Sequence, residues 1–328
     1  MEPNPKPTSD ESTGGVASEL SKRRSRYMML LGLTVYCGAI WYFGWRDIRD
    51  HILGADLVKV GVAAGIIFVA TWMRIWKWRL ALGKGQHAVG LYLMSKATGN
   101  VTPGRLGEFA PMVIRDHRTA KVGAWILFDR IVEILVTIAL GLYGLAMIDL
   151  LSRGQLIATT VLTIAGSLFG VYLVTHRGMF LWIANRFREG GFLHRLWTLL
   201  ASISEEVYLF VKSLPVVLPI TIITKAMDLF AVVLVFRAIE SLPSFALMAA
   251  SKCALAIVSF VPITPTATGV PHGTQAWLMN HVAQIPVDVL VAGIGIEVAI
   301  VSGTFWFSVG IGARFIRDAA LNAGNTGL

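Results

Sequence analysis

Arg105 and Glu108 stand just after a Pro-Gly break in TGNVTPGRLGEFAPMVIRDH, residues 98–117, and the sequence on both sides of that stretch is apolar enough for lipid. An arginine beside such a break can hold an anionic phosphate through two parallel hydrogen bonds. Glu108 can pair with it, or with Arg130, when no anion is bound. Pro103 removes a helix hydrogen bond and Gly104 permits the turn, so the chain can reverse there and aim freed backbone N–H groups at a cavity. A second broken stretch, SKCALAIVSFVPITPTATG at 251–269, shares Ser-Lys and Thr-Pro-x-x-x-Gly with SKATGNVTPGRLG at 95–107. Lys96 and Lys252 therefore occupy matching places, and His272 follows the second break. Glu108 and His272 are candidate proton carriers; a buried, satisfied histidine is the alternative for His272.

Further charges lie inside apolar runs. FDRIVEILVT places Asp129, Arg130 and Glu133 with Thr137 on one helical arc of roughly 100°. PITIITKAMDLF places Thr221, Thr224, Lys225 and Asp228 on one face, with Lys225 and Asp228 three residues apart and able to pair. Gly293, Glu297, Thr304 and Ser308 form a third narrow stripe. A charge facing mid-bilayer lipid costs about 2.5–3.5 kcal/mol, against about 0.3–0.6 kcal/mol returned by each Leu or Ile. The stripes must face protein, water or headgroups. Each pair alone can be explained as fixing helix packing, but the whole set beside two broken helices points to a functional cavity.

The elements that position these residues follow from the composition. The chain has 328 residues, 55% hydrophobic and 15% charged, a balance that implies an all-α polytopic membrane protein. Apolar runs at 27–45, 56–80, 121–148, 154–175, 215–238 and 287–313 predict six full spans. The stretches 88–115 and 244–284 are cut by Pro and Gly and predict two broken or re-entrant hairpins. Residues 1–26 form an expected disordered tail, 27–317 the membrane domain and 318–328 a short C-terminal tail. The basic clusters SKRRSR, RIWKWRLALGK, RDHRTAK and HRGMFLWIANRFR, with Arg314 and Arg317, all fall on one side if the first span runs outward. That side is the cytoplasm, so both termini are cytoplasmic in the cell membrane. Two units of opposite orientation result, at about 56–148 and 215–313, joined by amphipathic helices over about 177–212. The net charge of +9 is spread over these clusters, which argues against a nucleic-acid partner. Cys37 and Cys253 read as small apolar residues.

TPGRLGEF followed by AWILFDRIVEILVT resembles the flippase-like transmembrane region of the lysylphosphatidylglycerol synthase superfamily, over roughly residues 28–315. The resemblance maps Pro103, Gly104, Gly107, Glu108 and Arg130 onto the family's first motif and span, and Pro265 with Gly269 onto its second motif. It implies movement of a charged or polyprenyl-linked lipid and, with no aminoacyl-transferase domain in these residues, no synthesis of lysyl-lipid. PTATGVPH departs from the usual second motif, with Thr266 and Ala267 in place of glycines and His272 where a glutamate is common. The basic residue often found soon after Gly-Glu is also absent, which points to a different lipid.

No phosphate-binding G-x-x-x-x-G-K-[ST] loop, H-E-x-x-H or G-x-S-x-G occurs, so no enzyme, cofactor or ATP-driven activity is expected. The expected function is transport of an anionic or polyprenyl-phosphate-linked lipid, with the bilayer and its lipids as partners. The alternatives are a secondary transporter of a small polar solute and a scaffold for glycolipid or glycosyltransferase enzymes. The candidate substrate-binding set is Lys96, Pro103, Gly104, Arg105, Gly107, Glu108, Asp129, Arg130, Glu133, Lys225, Asp228, Lys252, Pro265, Gly269, His272 and Glu297, with no metal site.

Overall fold

The structure is a computed structural model that describes residues 45–83, 88–101, 107–111, 119–148, 151–189, 191–259 and 270–324. Among these the regular elements are all helical. In chain order they are α1 (Trp45–Leu53), α2 (Leu57–Leu82), α3 (Ala88–Val101), α4 (Thr119–Met147), α5 (Arg153–Thr175), α6 (Arg177–Ala184), α7 (Phe192–Val211), α8 (Leu214–Ala238), α9 (Phe245–Ser259), α10 (Val270–Ala283) and α11 (Val287–Gly324). A short 3₁₀ turn covers 107–111.

Local chemistry sets the ends of the central helices. The Asp56 carboxylate caps α2 by accepting from the N–H groups of Val58 and Lys59 at 3.0 and 3.2 Å. Gly83 closes α2 at φ 83, where its N–H donates to the Arg79 carbonyl; a left-handed position of this kind favours glycine. α8 opens with Pro215 in its first turn, where no helical hydrogen bond is lost.

α2 and α8 pack along each other and run antiparallel. Asp56 N–H donates to the Ala238 carbonyl (2.9 Å) at one end, and Lys77 Nζ donates to Thr221 Oγ1 (3.1 Å) toward the other. One apolar core gathers the first half of α2 and the second half of α8 with α9, α10 and α11, around Phe236, Met248 and Leu290. The other joins the second half of α2 to α3, α4 and α7, around Trp78, Leu93, Trp125 and Phe210. Trp78 stands edge-on to both Tyr92 and Trp125, a favoured aromatic geometry.

The helices beside the breaks pack on long helices distant in sequence: α3 lies against α11, and α9 against α4. The α4–α9 contact is made by glycine. A Cβ at Gly141 would collide with Cys253, and one at Gly144 with the Ala246 carbonyl and the Ala250 N–H. α4 and α9 therefore approach to backbone contact, as small residues allow in membrane proteins.

Among the described residues four helices are long and apolar enough to cross a bilayer: Leu57–Leu82, Arg153–Tyr172, Leu214–Ala238 and Val287–Ala313. They match four of the six expected spans. The expected span at 121–148 is α4, which has the length, with 29 residues, but carries its charges inside. The one at 27–45 lies outside the described residues except for Trp45. The second broken stretch forms α9 and α10, packed on each other; the breaks themselves, at 102–106 and 260–269, lie outside the described residues. The linker forms α6 and α7. α7 buries Ile203, Val207 and Phe210 yet exposes Leu193, Tyr208 and Leu209, so it is apolar on two sides.

Gly144→Leu is expected to force α4 from α9 and to cost about 1–3 kcal/mol, read as a lower melting temperature in detergent. Gly166→Ala, at a position with nothing within 4 Å, should leave the melt unchanged.

Candidate functional site

Ten polar and charged side chains from four helices and the 3₁₀ turn meet around the second half of α2. The innermost is Lys77. It is fully enclosed, ion-paired to Asp129, 3.9 Å from Glu133 Oε1, and bonded to Thr221. Asp129 also accepts from the Trp78 indole N–H at 3.1 Å. A buried ammonium needs this degree of pairing, because desolvation costs several kcal/mol per ion.

Arg130 forms the next layer. Its guanidinium pairs with Glu108 and donates to Glu133 Oε2 at 2.5 Å. Lys96 Nζ lies 3.7 Å from Glu108 Oε1. The Arg130 and Lys96 side chains are 20% and 16% exposed, against 5% for Glu108 and none for Lys77. Around Glu108 the accessible groups are therefore the cations Arg130 and Lys96, Asp228 is the accessible acid at 36% exposed, and the floor of the cluster is the Lys77–Asp129 pair. Arg74 pairs with Asp228 and also faces the Thr224 carbonyl at 3.4 Å. Lys225 stands among Glu133, Asp228, Arg74 and Arg130. Among the described residues it has no ion-pair partner.

α3 holds Glu108 in place. Ser95 Oγ donates to the Glu108 carbonyl at 2.8 Å, and Thr98 Oγ1 donates to the Gly107 carbonyl. A Cβ at Gly99 would strike the Glu108 side chain. Glycine at 99 thus lets the carboxylate lie flat on α3 and reach Arg130.

A second, smaller centre lies where α9, α10 and α11 meet. Lys252 pairs with Glu297 and donates to Gln275 Oε1 at 3.3 Å. His272 is half-buried, one turn before Gln275 on α10. Thr137, Thr224, Thr304 and Ser308 each satisfy their hydroxyls on carbonyls of their own helices. Gly293 lies under the Phe236 ring. These stripe positions serve packing.

The structure brings Lys96, Glu108, Asp129, Arg130, Glu133, Lys225 and Asp228 together, with Gly107 in the turn, and sets Lys252 and Glu297 apart from them. Pro103, Gly104, Arg105, Pro265 and Gly269 lie outside the described residues. Two local pairs allowed by the sequence give way to partners from other helices. Asp228 pairs with Arg74 instead of Lys225, and Asp129 pairs with Lys77 instead of Arg130. Adjacent helical residues point about 100° apart, so Asp129 and Arg130 address different neighbours. Arg74, Lys77, Trp78, Ser95, Gly99 and Gln275 are members that the sequence did not single out. Their signal was the placement of Arg74 and Lys77 one turn apart inside the apolar run of α2. A cleft lined by Ile148, Leu242, Pro243, Leu247 and Ile285 contains none of these groups.

Long apolar helices around buried ion pairs define a helical integral membrane protein. The chain belongs to the family described as the lysylphosphatidylglycerol synthase TM region, which matches residues 29–312. Comparison with curated proteins and with solved structures gives no match.

Lys77→Met is expected to strand Asp129 and to cost about 3–5 kcal/mol. Lys77→Met combined with Asp129→Leu should recover most of that loss, because both charges of the enclosed pair are then removed together. Thermal melts of the purified variants, run as a double-mutant cycle, check both.

Proposed function

We propose that the chain is a flippase-like transporter that moves an anionic or polyprenyl-phosphate-linked lipid across the cytoplasmic membrane. The observation that carries this is the charge balance of the first centre. Arg74, Lys77, Lys96, Arg130 and Lys225 supply five cations, and Glu108, Asp129, Glu133 and Asp228 supply four carboxylates, a formal surplus of one positive charge (5 − 4). A monoanionic headgroup would neutralise it. Membership of the family supports a lipid-related role.

Arg130 is the natural contact for a phosphate, since its planar fork can hold two oxygens at once. With no anion bound, Glu108 occupies that fork. An entering phosphate would compete with Glu108 for Arg130 and Lys96 and so release the turn at 107–111 from α4. Binding is in this way tied to movement of the broken segment. The antiparallel α2 and α8, and the exchange in which α3 packs on α11 and α9 on α4, support two inverted units that rock about a shared axis.

Reconstitution with headgroup-labelled anionic lipids tests the function. Arg130→Ala is expected to slow translocation ~10- to 100-fold, the worth of a charge-assisted hydrogen-bond pair. Arg130→Lys should retain an intermediate rate, and Glu108→Gln should weaken the coupling of binding to movement. Rates equal to protein-free vesicles for the parent would overturn the proposal.

Orientation follows from the basic clusters, with both termini in the cytoplasm. In a chain lacking Cys37 and Cys253, Ser152→Cys should react with a membrane-impermeant maleimide added outside intact cells. Arg188→Cys should react only after the cells are opened.

A further inference from the structure

The carboxylates of the two centres differ in what their oxygens meet. Glu108 faces cations with both: Oε1 accepts from Arg130 and lies 3.7 Å from Lys96, and Oε2 pairs with Arg130. Glu133 sits between Arg130 and Lys77, and Asp129 between Lys77 and the Trp78 indole. Asp228 is held by Arg74 and stays open to solvent. Glu297 is of another kind. It is 7% exposed and has a single cation, Lys252, on Oε1, while Oε2 is buried with no hydrogen-bond partner among the described residues.

Burial penalises an ionised carboxylate whose oxygen has no donor, and a proton is the smallest ligand that removes the penalty. At Glu108 or Glu133 a proton would compete with cations on both oxygens; at Glu297 Oε2 it displaces nothing. The step balances simply. A proton from water forms an O–H bond at Oε2, the formal charge of the centre passes from zero to +1, and Lys252 keeps its protons but loses its counter-ion. Gln275 then has a role, because its Oε1 accepts from Lys252 Nζ at 3.3 Å and holds the ammonium while Glu297 is neutral.

Among the described residues the elements packed on α11 bring no second ion pair to this carboxylate. α10 adds His272, one turn before Gln275, and His281, which is stacked on Trp277. α9 adds Cys253, turned toward Gly141 of α4. α2 and α8 share the apolar core of α11 through Ile67, Val232 and Phe236, and their charges Arg74, Lys77, Lys225 and Asp228 belong to the first centre. α1 pairs His51 with Asp288 at the start of α11, and Lys96 of α3 is turned to Glu108.

We infer that Glu297 is a proton-exchange site with Lys252 as its counter-ion, and that loading and unloading it couples transport to the transmembrane proton gradient. Neutralising Glu297 loosens α9 from α11. α9 is the helix seated on α4 at Gly141 and Gly144, and α4 carries Arg130 and Glu133, so the change reaches the first centre through backbone contact. The coupling rests on the transport reading above; the proton site itself does not.

Infrared difference spectra of the purified protein between acid and alkaline buffers test the site without any transport. They read the C=O stretch of a protonated carboxyl, which histidine and cysteine do not give. The parent should show a band that is lost in Glu297→Gln and in Lys252→Met combined with Glu297→Gln. The double variant leaves no charge at the centre and so guards against loss of fold. A band set identical in parent and both variants would overturn the site. In proteoliposomes with labelled phosphatidylglycerol, a gradient of one pH unit should shift the distribution of the lipid between leaflets about tenfold for one proton per lipid. Reversing the gradient should reverse the shift, and the double variant should show none. A parent that moves the lipid without responding to the gradient would overturn the coupling and leave the transport reading standing. A parent that moves no lipid would overturn the transport reading and the coupling together, with the infrared result still deciding the proton site.

Discussion

The ammonium of Lys77 has no route to water. Every other feature of the first centre answers that constraint: Asp129 supplies the opposite charge, Thr221 and Glu133 complete its surroundings, and the Trp78 indole satisfies the second Asp129 oxygen. Because these groups come from α2, α4 and α8, neutralising one charge also fixes three helices relative to each other. In lipid, where apolar association contributes little between helices, such polar contacts and close packing set the arrangement. Breaking the pair from one side would therefore disturb helix placement as well as charge.

The outward gradient has a separate logic. Charges at the floor are paired and enclosed, whereas Arg130 and Lys96 keep part of their surface accessible while sharing Glu108. A guanidinium shared between two carboxylates can exchange one of them for a phosphate without ever being left bare. The floor then provides rigidity and the rim provides exchange. The Gly99 contact matters here because it sets how closely the Glu108 carboxylate can sit over α3.

Much of this was legible in the sequence. The helical class and the charged stripes of α4 and α8 follow from hydropathy and spacing, since a charge in an apolar run must face something polar, and the family was carried by the resemblance of TPGRLGEF and AWILFDRIVEILVT. The partners were not legible. Arg74 and Lys77 belong to the basic cluster RIWKWRLALGK that was read as setting membrane orientation, and that reading hid their pairing across helices. Asp228 had a lysine one turn away in sequence, but Arg74 reaches it from the neighbouring helix. Gln275 carries no charge and lies in an ordinary apolar-polar helix, so only its enclosure beside Lys252 marks it. Sequence spacing reports which residues share a face. It does not report which helix that face meets.

The glycine contact between α4 and α9 has a mechanical meaning. With the backbone of one helix seated on the other at Gly144, no layer of side chains remains to shear between them. The pair behaves as a single beam that carries Arg130 and Glu133 at one station and Lys252 at another. A tilt of that beam moves both stations through the membrane in fixed proportion, like two marks on one ruler.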